Sequence, residues 1–153
     1  MAFLIEAIAN FGSISVENTS LGLLILIIYS FYLSIAVWLI MKEVFLASEA
    51  NLDTIFGGIS VYLLIGFIWS FFYGIVEICA PNAFSQSFLI EESSAKTIYF
   101  SFTTLTTLGY GDIVPVKDFA LILANMEAII GQMYPAIFIA TLVGNYLAQN
   151  HHK

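Results

Sequence analysis

The sequence predicts an all-α membrane protein with three transmembrane helices, and with a re-entrant half-helix and glycine-rich loop between the second and third. Three observations predict it. Hydrophobic residues make up 60% of the 153 and charged residues only 10%, far outside the range of soluble globular proteins. Three apolar runs are each long enough to cross a hydrocarbon core of about 30 Å, which takes roughly 20 helical residues. A fourth helical pattern is short, reaches only about halfway across, and runs into a Gly-x-Gly segment.

Residues 1–20 form an N-terminal segment in which Met1 to Asn10 is too brief to decide whether it is a short interfacial helix. The segment lacks the positive n-region and small-residue cleavage site of a secretory signal, so it is expected to be retained. Asn18-Thr19-Ser20 fits a glycosylation sequon, but helix N-capping by Asn18 or Ser20 is the better-weighted reading. The first transmembrane helix is expected over 21–41, which carries no charge. The second, over 55–76, is uncharged between Asp53 and Glu77, with Tyr62, Trp69 and Tyr73 as interface or packing aromatics. The third, over 119–147, is interrupted by Glu127, Gly131, Pro135 and Gly144.

Between the last two helices, Pro81, Asn82 and Glu91-Glu92 mark a polar external loop, followed by a helical run over 95–106. Irregular backbone at membrane depth survives only when protein or a water-filled cavity surrounds it. Three helices of one chain cannot enclose such a segment, so oligomerisation is expected.

The charge pattern excludes several classes. Lys42, Lys96, Lys117 and Lys153 are the four Lys+Arg residues, and there is no arginine. A nucleic-acid surface, a polybasic lipid patch and an intrinsic voltage sensor are therefore not expected. With Lys42 and Lys153 inside and Lys96 and Lys117 outside, the positive-inside rule gives no orientation. The eleven carboxylates behind the net charge of -7 lie mostly at the ends of apolar runs, where solvation explains them better than cation traffic. Cys79 has no intrachain partner, His151-His152 reads as a solvated tail, and no nucleophile–base pair or metal cluster supports an enzyme or a cofactor.

The chemistry lies in Thr107-Leu108-Gly109-Tyr110-Gly111-Asp112. Stripping the water shell from a potassium ion needs replacement oxygen ligands, and backbone carbonyls from symmetry-related chains supply them. Gly109 and Gly111 lack Cβ and can take positive φ, so the carbonyls of Thr107, Leu108, Gly109 and Tyr110 can turn towards one axis. Thr107 would add its hydroxyl at the inner end, while Leu108 and Tyr110 would point back into the preceding helix.

The run from Thr104 to Asp112 resembles the potassium-channel pore signature, and the resemblance covers about the last two thirds of the chain. It implies a pore domain over 55–148, with outer helix 55–76, pore helix 95–106, selectivity filter 107–112 and inner helix 119–147, preceded by one extra transmembrane helix. K+ at Thr107, Leu108, Gly109 and Tyr110 is the implied permeant ion. Leu108 stands where the family usually has Val or Ile, which leaves the carbonyl but changes the packing behind it. Tyr99 and Phe100 stand where the family often has Trp, so Tyr99, Thr103, Thr104 and Asp112 are the expected filter supports. The pore-helix C-terminus would aim partial negative charge at a cavity cation.

In the inner helix, Glu127, Gly131, Gln132, Pro135, Ile139 and Val143 are the expected gating or pore-lining positions. For Glu127, a buried hydrogen bond to a neighbouring subunit or the pore helix outweighs direct ion binding. Gly131 is a hinge or a close helix contact, and with Pro135 predicts a bend. The resemblance implies a passive potassium channel subunit, homotetrameric, multi-pass in the cell membrane among its lipids, with no cytoplasmic ligand domain and room for a separate regulatory partner. A weakly selective cation channel and a non-conducting regulatory subunit are the alternatives.

Overall fold

The computed structural model describes residues 19–47, 51–88 and 93–151. Four helices follow one another: α1 (Thr19–Leu46), α2 (Leu52–Cys79), α3 (Ser93–Leu105) and α4 (Asp118–His151). Among the described residues there is no strand, only an isolated bridge between Phe84 and Pro115. α1, α2 and α4 are long and apolar enough to cross a membrane. α3, with 13 residues, extends about 20 Å at 1.5 Å per residue and cannot.

The spanning helices overrun the apolar windows at both ends. Uncharged sequence measures what the bilayer tolerates, whereas a helix stops where its backbone hydrogen bonds stop. α2 starts at a true cap: the Asn51 side chain accepts from the Thr54 backbone N–H at 2.8 Å and from the Thr54 hydroxyl at 2.9 Å. α1 begins at Thr19, so Ser20 is a helical residue and not the cap expected of it. The expected readings for Asn18, the sequon, residues 1–18 and Glu91-Glu92 lie outside the described residues. α4 is helical throughout, passing Gly131 and Pro135 without a break. Pro135 leaves the Gly131 carbonyl without its usual donor.

α1 lies against α2 through one stripe, Leu26, Ser30, Leu33, Val37 and Val44, while Ile28, Phe31, Trp38 and Leu39 stay exposed. That exposure suits a helix whose outer face meets lipid. α2 is the central element, burying Val61, Ile65, Trp69, Phe71 and Tyr73. Small residues set the remaining crossings, since close approach needs missing side-chain volume. A Cβ on Gly66 would sit 2.7 Å from the Phe102 ring of α3, and one on Gly58 would overlap Phe138 of α4 at 2.1 Å. The Tyr134 hydroxyl of α4 donates to the Gly58 carbonyl at 2.8 Å. Towards the C-terminal end of α4, Asn145 Nδ2 donates to the Ala47 carbonyl at 2.8 Å, tying α4 to the residue that follows α1.

Candidate functional site

The segment after α3 leaves the helix in a tight, bonded turn. The Thr106 N–H donates to the Phe102 carbonyl, that of Thr107 to Thr104 (2.9 Å), and that of Gly109 reaches back to Thr103 (3.0 Å). φ is positive at Thr107 (58°), Gly109 (52°) and Gly111 (77°), and not at Leu108 or Tyr110. Residues that alternate the sign of φ turn successive peptide units in the same sense, so carbonyls that would alternate sides in a strand can face one way.

Glycine makes this easy at two positions. Thr107, which is β-branched, takes it at a cost of about 1–3 kcal/mol. The sequence pointed to the two glycines and missed the threonine. Its conformation is held by contacts: Thr107 Oγ1 donates to the Thr106 carbonyl at 2.6 Å and accepts from Gln132 Nε2 at 3.0 Å.

The support expected behind the segment is partly present. The Tyr99 hydroxyl donates to Asp112 Oδ2 at 2.9 Å, and the Tyr99 ring stacks on Tyr110 with centroids 6.4 Å apart. Desolvation, then the Asp112 hydrogen bond and charge, raise the Tyr99 phenol above its ordinary value. Thr103 contributes its backbone carbonyl, and its hydroxyl turns to Phe100 O at 3.0 Å. Thr104 likewise bonds Phe100 O through its hydroxyl, at 2.8 Å. Leu108 is not covered from behind as expected: it is 56% exposed, and Tyr110, for all its contact with Tyr99, is 68% exposed. One chain does not supply a surface behind Leu108. Beside the segment lies an open groove of about 350 Å³ lined by Phe100, Thr104, Tyr110, Ile113, Leu121 and Ala124 among others.

Phe100 faces away from Asp112, buried in an aromatic cluster with Tyr73, Phe84 and Phe88. That cluster anchors an element not legible in the sequence. Residues 81–86 and 112–117 are stitched together: Ser85 N–H to Val114 O (2.8 Å), Val116 N–H to Ala83 O (2.8 Å), Gln86 Nε2 to Asp112 O (3.1 Å) and Lys117 Nζ to Pro81 O (3.0 Å). Buried Glu77 supports the turn, accepting from the backbone N–H groups of Asn82 and Ala83. Glu77 had served only to mark the end of an apolar run. The sole sequence signal for its role was a carboxylate one turn before Pro81-Asn82.

The α4 positions divide by face. Gln132, Ile139 and Val143 are exposed, with Pro135 half-buried. Glu127 is fully buried, bonded to Tyr73 of α2 and Ser101 of α3. It does not line an open surface, and the pore-helix bond is the reading that stands. Gly131 is a close contact: a Cβ there would overlap the Leu105 carbonyl oxygen at 1.9 Å. Close packing, one of the two expected readings, is what the structure shows at this position.

Three apolar spans, a half-length re-entrant helix and a glycine-rich turn with alternating φ together define a multi-pass membrane pore protein. The chain belongs to the ion channel family, whose model matches residues 52–148, more than half of the sequence. Potassium voltage-gated channel protein shk-1 of Caenorhabditis elegans is 36% identical over 54 residues, 35% of this chain and 10% of that protein. Two pore potassium channel a of Oryza sativa subsp. japonica is 29% identical over 89 residues, 58% of this chain and 23% of that protein. The chain thus spans less than a quarter of either relative. No solved structure matches it. The resemblance read from Thr104 to Asp112 is borne out at the level of the family.

Proposed function

We propose that four copies of this chain form a passive, potassium-selective channel in the cell membrane. Each copy contributes Thr107 to Gly111 to one filter on the symmetry axis. The observation that carries this reading is the alternation of φ sign through Thr107, Leu108, Gly109, Tyr110 and Gly111. Four such segments would replace the hydration shell of K+ with rings of carbonyl oxygens from Thr107, Leu108, Gly109 and Tyr110. No bond is made or broken; the ion moves down its gradient, with no cofactor. The C-terminus of α3 directs carbonyl dipoles towards the inner mouth, favouring a cation there.

Assembly into a ring is supported by what one chain leaves uncovered. Leu108, Tyr110 and the groove beside them form an apolar surface next to backbone that cannot face lipid. A second copy covering that groove would also supply the packing that Leu108 lacks. Gln132, Ile139 and Val143 would then line the inner cavity, and α1, on the far side of α2, would form the rim.

The test is ion flux from the purified protein in liposomes under a potassium gradient, with sodium substitution, barium block and Gly109→Ala as control. Alanine at φ 52° costs about 1–2 kcal/mol in each subunit and distorts the ring. Potassium-selective flux lost in the control is the expected result. Flux that does not discriminate sodium would favour the weakly selective reading, in which Leu108 in place of Val or Ile loosens the filter. A folded oligomer without flux would favour a regulatory subunit.

A further inference from the structure

Glu127 lies mid-helix in α4 with no exposed surface. Its two carboxyl oxygens meet two hydroxyls from two other helices. Tyr73 of α2 donates to Oε2. Ser101 Oγ of α3 is 2.6 Å from Oε1 and 2.7 Å from the Gly66 carbonyl oxygen of α2.

The hydrogens can be counted. A serine hydroxyl carries one, a carbonyl none, and an ionised carboxylate none. Two oxygen–oxygen contacts this short each need a hydrogen between them, or lone pairs oppose lone pairs. Sharing one hydrogen between both would bend each bond off line and lengthen it. With an ionised Glu127, Ser101 has one hydrogen for two acceptors. With a carboxylic acid there are three hydrogens for three contacts: Glu127 to Ser101, Ser101 to Gly66, and Tyr73 to Glu127.

We infer that Glu127 is a neutral hydrogen-bond donor, a positioning residue whose chain through Ser101 to the Gly66 carbonyl locks the inner helix to the pore and outer helices. The surroundings agree. Among the described residues its hydrogen bonds are to hydroxyls, and the titratable groups facing it from α2 are the phenols of Tyr73 and Tyr62. α3 presents Ser101. An isolated charge enclosed this way would be costly at membrane depth, whereas a closed chain of neutral donors and acceptors is not.

The lock sits close to the filter. Thr103, two residues beyond Ser101, accepts the Gly109 N–H at 3.0 Å, so a shift of α4 at Glu127 is passed through α3 to the filter backbone. This consequence for conduction rests on the proposed channel reading. The protonation of Glu127 does not.

Difference infrared spectra of the full chain in lipid test the inference directly. Wild type against Glu127→Gln should show the carbonyl stretch of a protonated carboxylic acid at neutral pH, and Ser101→Ala should move that band to higher frequency by removing its acceptor. Flux supplies the second readout. Gln keeps an N–H for Ser101 and an oxygen for Tyr73, so E127Q should conduct as wild type does. E127L, which leaves both hydroxyls without a partner, should lose about tenfold or more. A carboxylate band alone at neutral pH overturns the inference, as does E127Q falling as far as E127L. A silent wild type would count against the channel reading, while the infrared result would still decide the state of Glu127.

Discussion

The Tyr99 hydroxyl donates to Asp112 Oδ2 at 2.9 Å, one bond joining α3 to the residue that follows the glycine-rich turn. Tyr99→Phe removes that bond and keeps the ring on Tyr110. The expected outcome is a conducting state shortened severalfold with ion selectivity retained, read from single-channel dwell times in planar bilayers. Tyr99→Ala, which also removes the stacked ring, should be the more severe.

The same bond sets a pH limit. The Tyr99 phenol is raised above its ordinary value, first by desolvation and then by Asp112. The neutral, donating form is thus favoured in the folded state. Its contribution is complete below the ordinary phenol value of about 10 and is lost as pH rises through the higher folded value. Open-state lifetimes should therefore be insensitive to this group through neutral pH and shorten in strong alkali, and Y99F should lose the alkaline limb.

Gly131 and Gly144 lie on the same helix and should respond oppositely to alanine. At Gly131 the added Cβ overlaps the Leu105 carbonyl, whereas at Gly144 nothing lies within 4 Å. Gly131→Ala is expected to cost about 1–3 kcal/mol through overpacking against backbone. Gly144→Ala should be neutral or gain up to about 1 kcal/mol of helix propensity. Thermal unfolding in detergent separates the two.

Glu77→Ala leaves the Asn82 and Ala83 amides without their acceptor in a closed turn. The expected loss is about 1–3 kcal/mol of stability. Glu77→Gln, which keeps one acceptor oxygen, should lose less. Faster hydrogen exchange at residues 81–86 and 112–117 would place the damage in the stitched loops rather than in the helices.

Asn145→Ala removes the bond from α4 to the Ala47 carbonyl. A partly exposed neutral hydrogen bond is worth about 0.5–1.5 kcal/mol, enough to shift an open–closed equilibrium several-fold. Open probability should change with no change in selectivity, since Asn145 lies more than three helical turns beyond Gln132, the α4 residue that touches Thr107.

Much of the site was legible because its residues carry their reasons locally. Gly109 and Gly111 announce positive φ, and Thr104 to Asp112 is one continuous run. The wrong or missing readings share another cause. Thr107 takes its conformation from the hydrogen bond to Gln132, and Glu77 its role from a turn that folds back onto it. For Glu127 the sequence favoured a buried hydrogen bond without naming Tyr73 and Ser101 as its partners, and for Gly131 it left a hinge and a close contact both open without naming Leu105.

By itself the sequence determined three helices long and apolar enough to cross a membrane, and a short helix feeding a glycine-rich turn. Hydropathy, helix rise and missing Cβ atoms act over a few residues and need no knowledge of neighbours. Only the tertiary structure decided which face of α4 is buried, which hydroxyls meet Glu127, and how residues 81–86 brace 112–117. Those choices depend on contacts between residues far apart in the chain, such as Tyr134 with Gly58 and Asn145 with Ala47. A uniformly apolar helix carries little record of which side faces protein and which faces lipid, because both are dry.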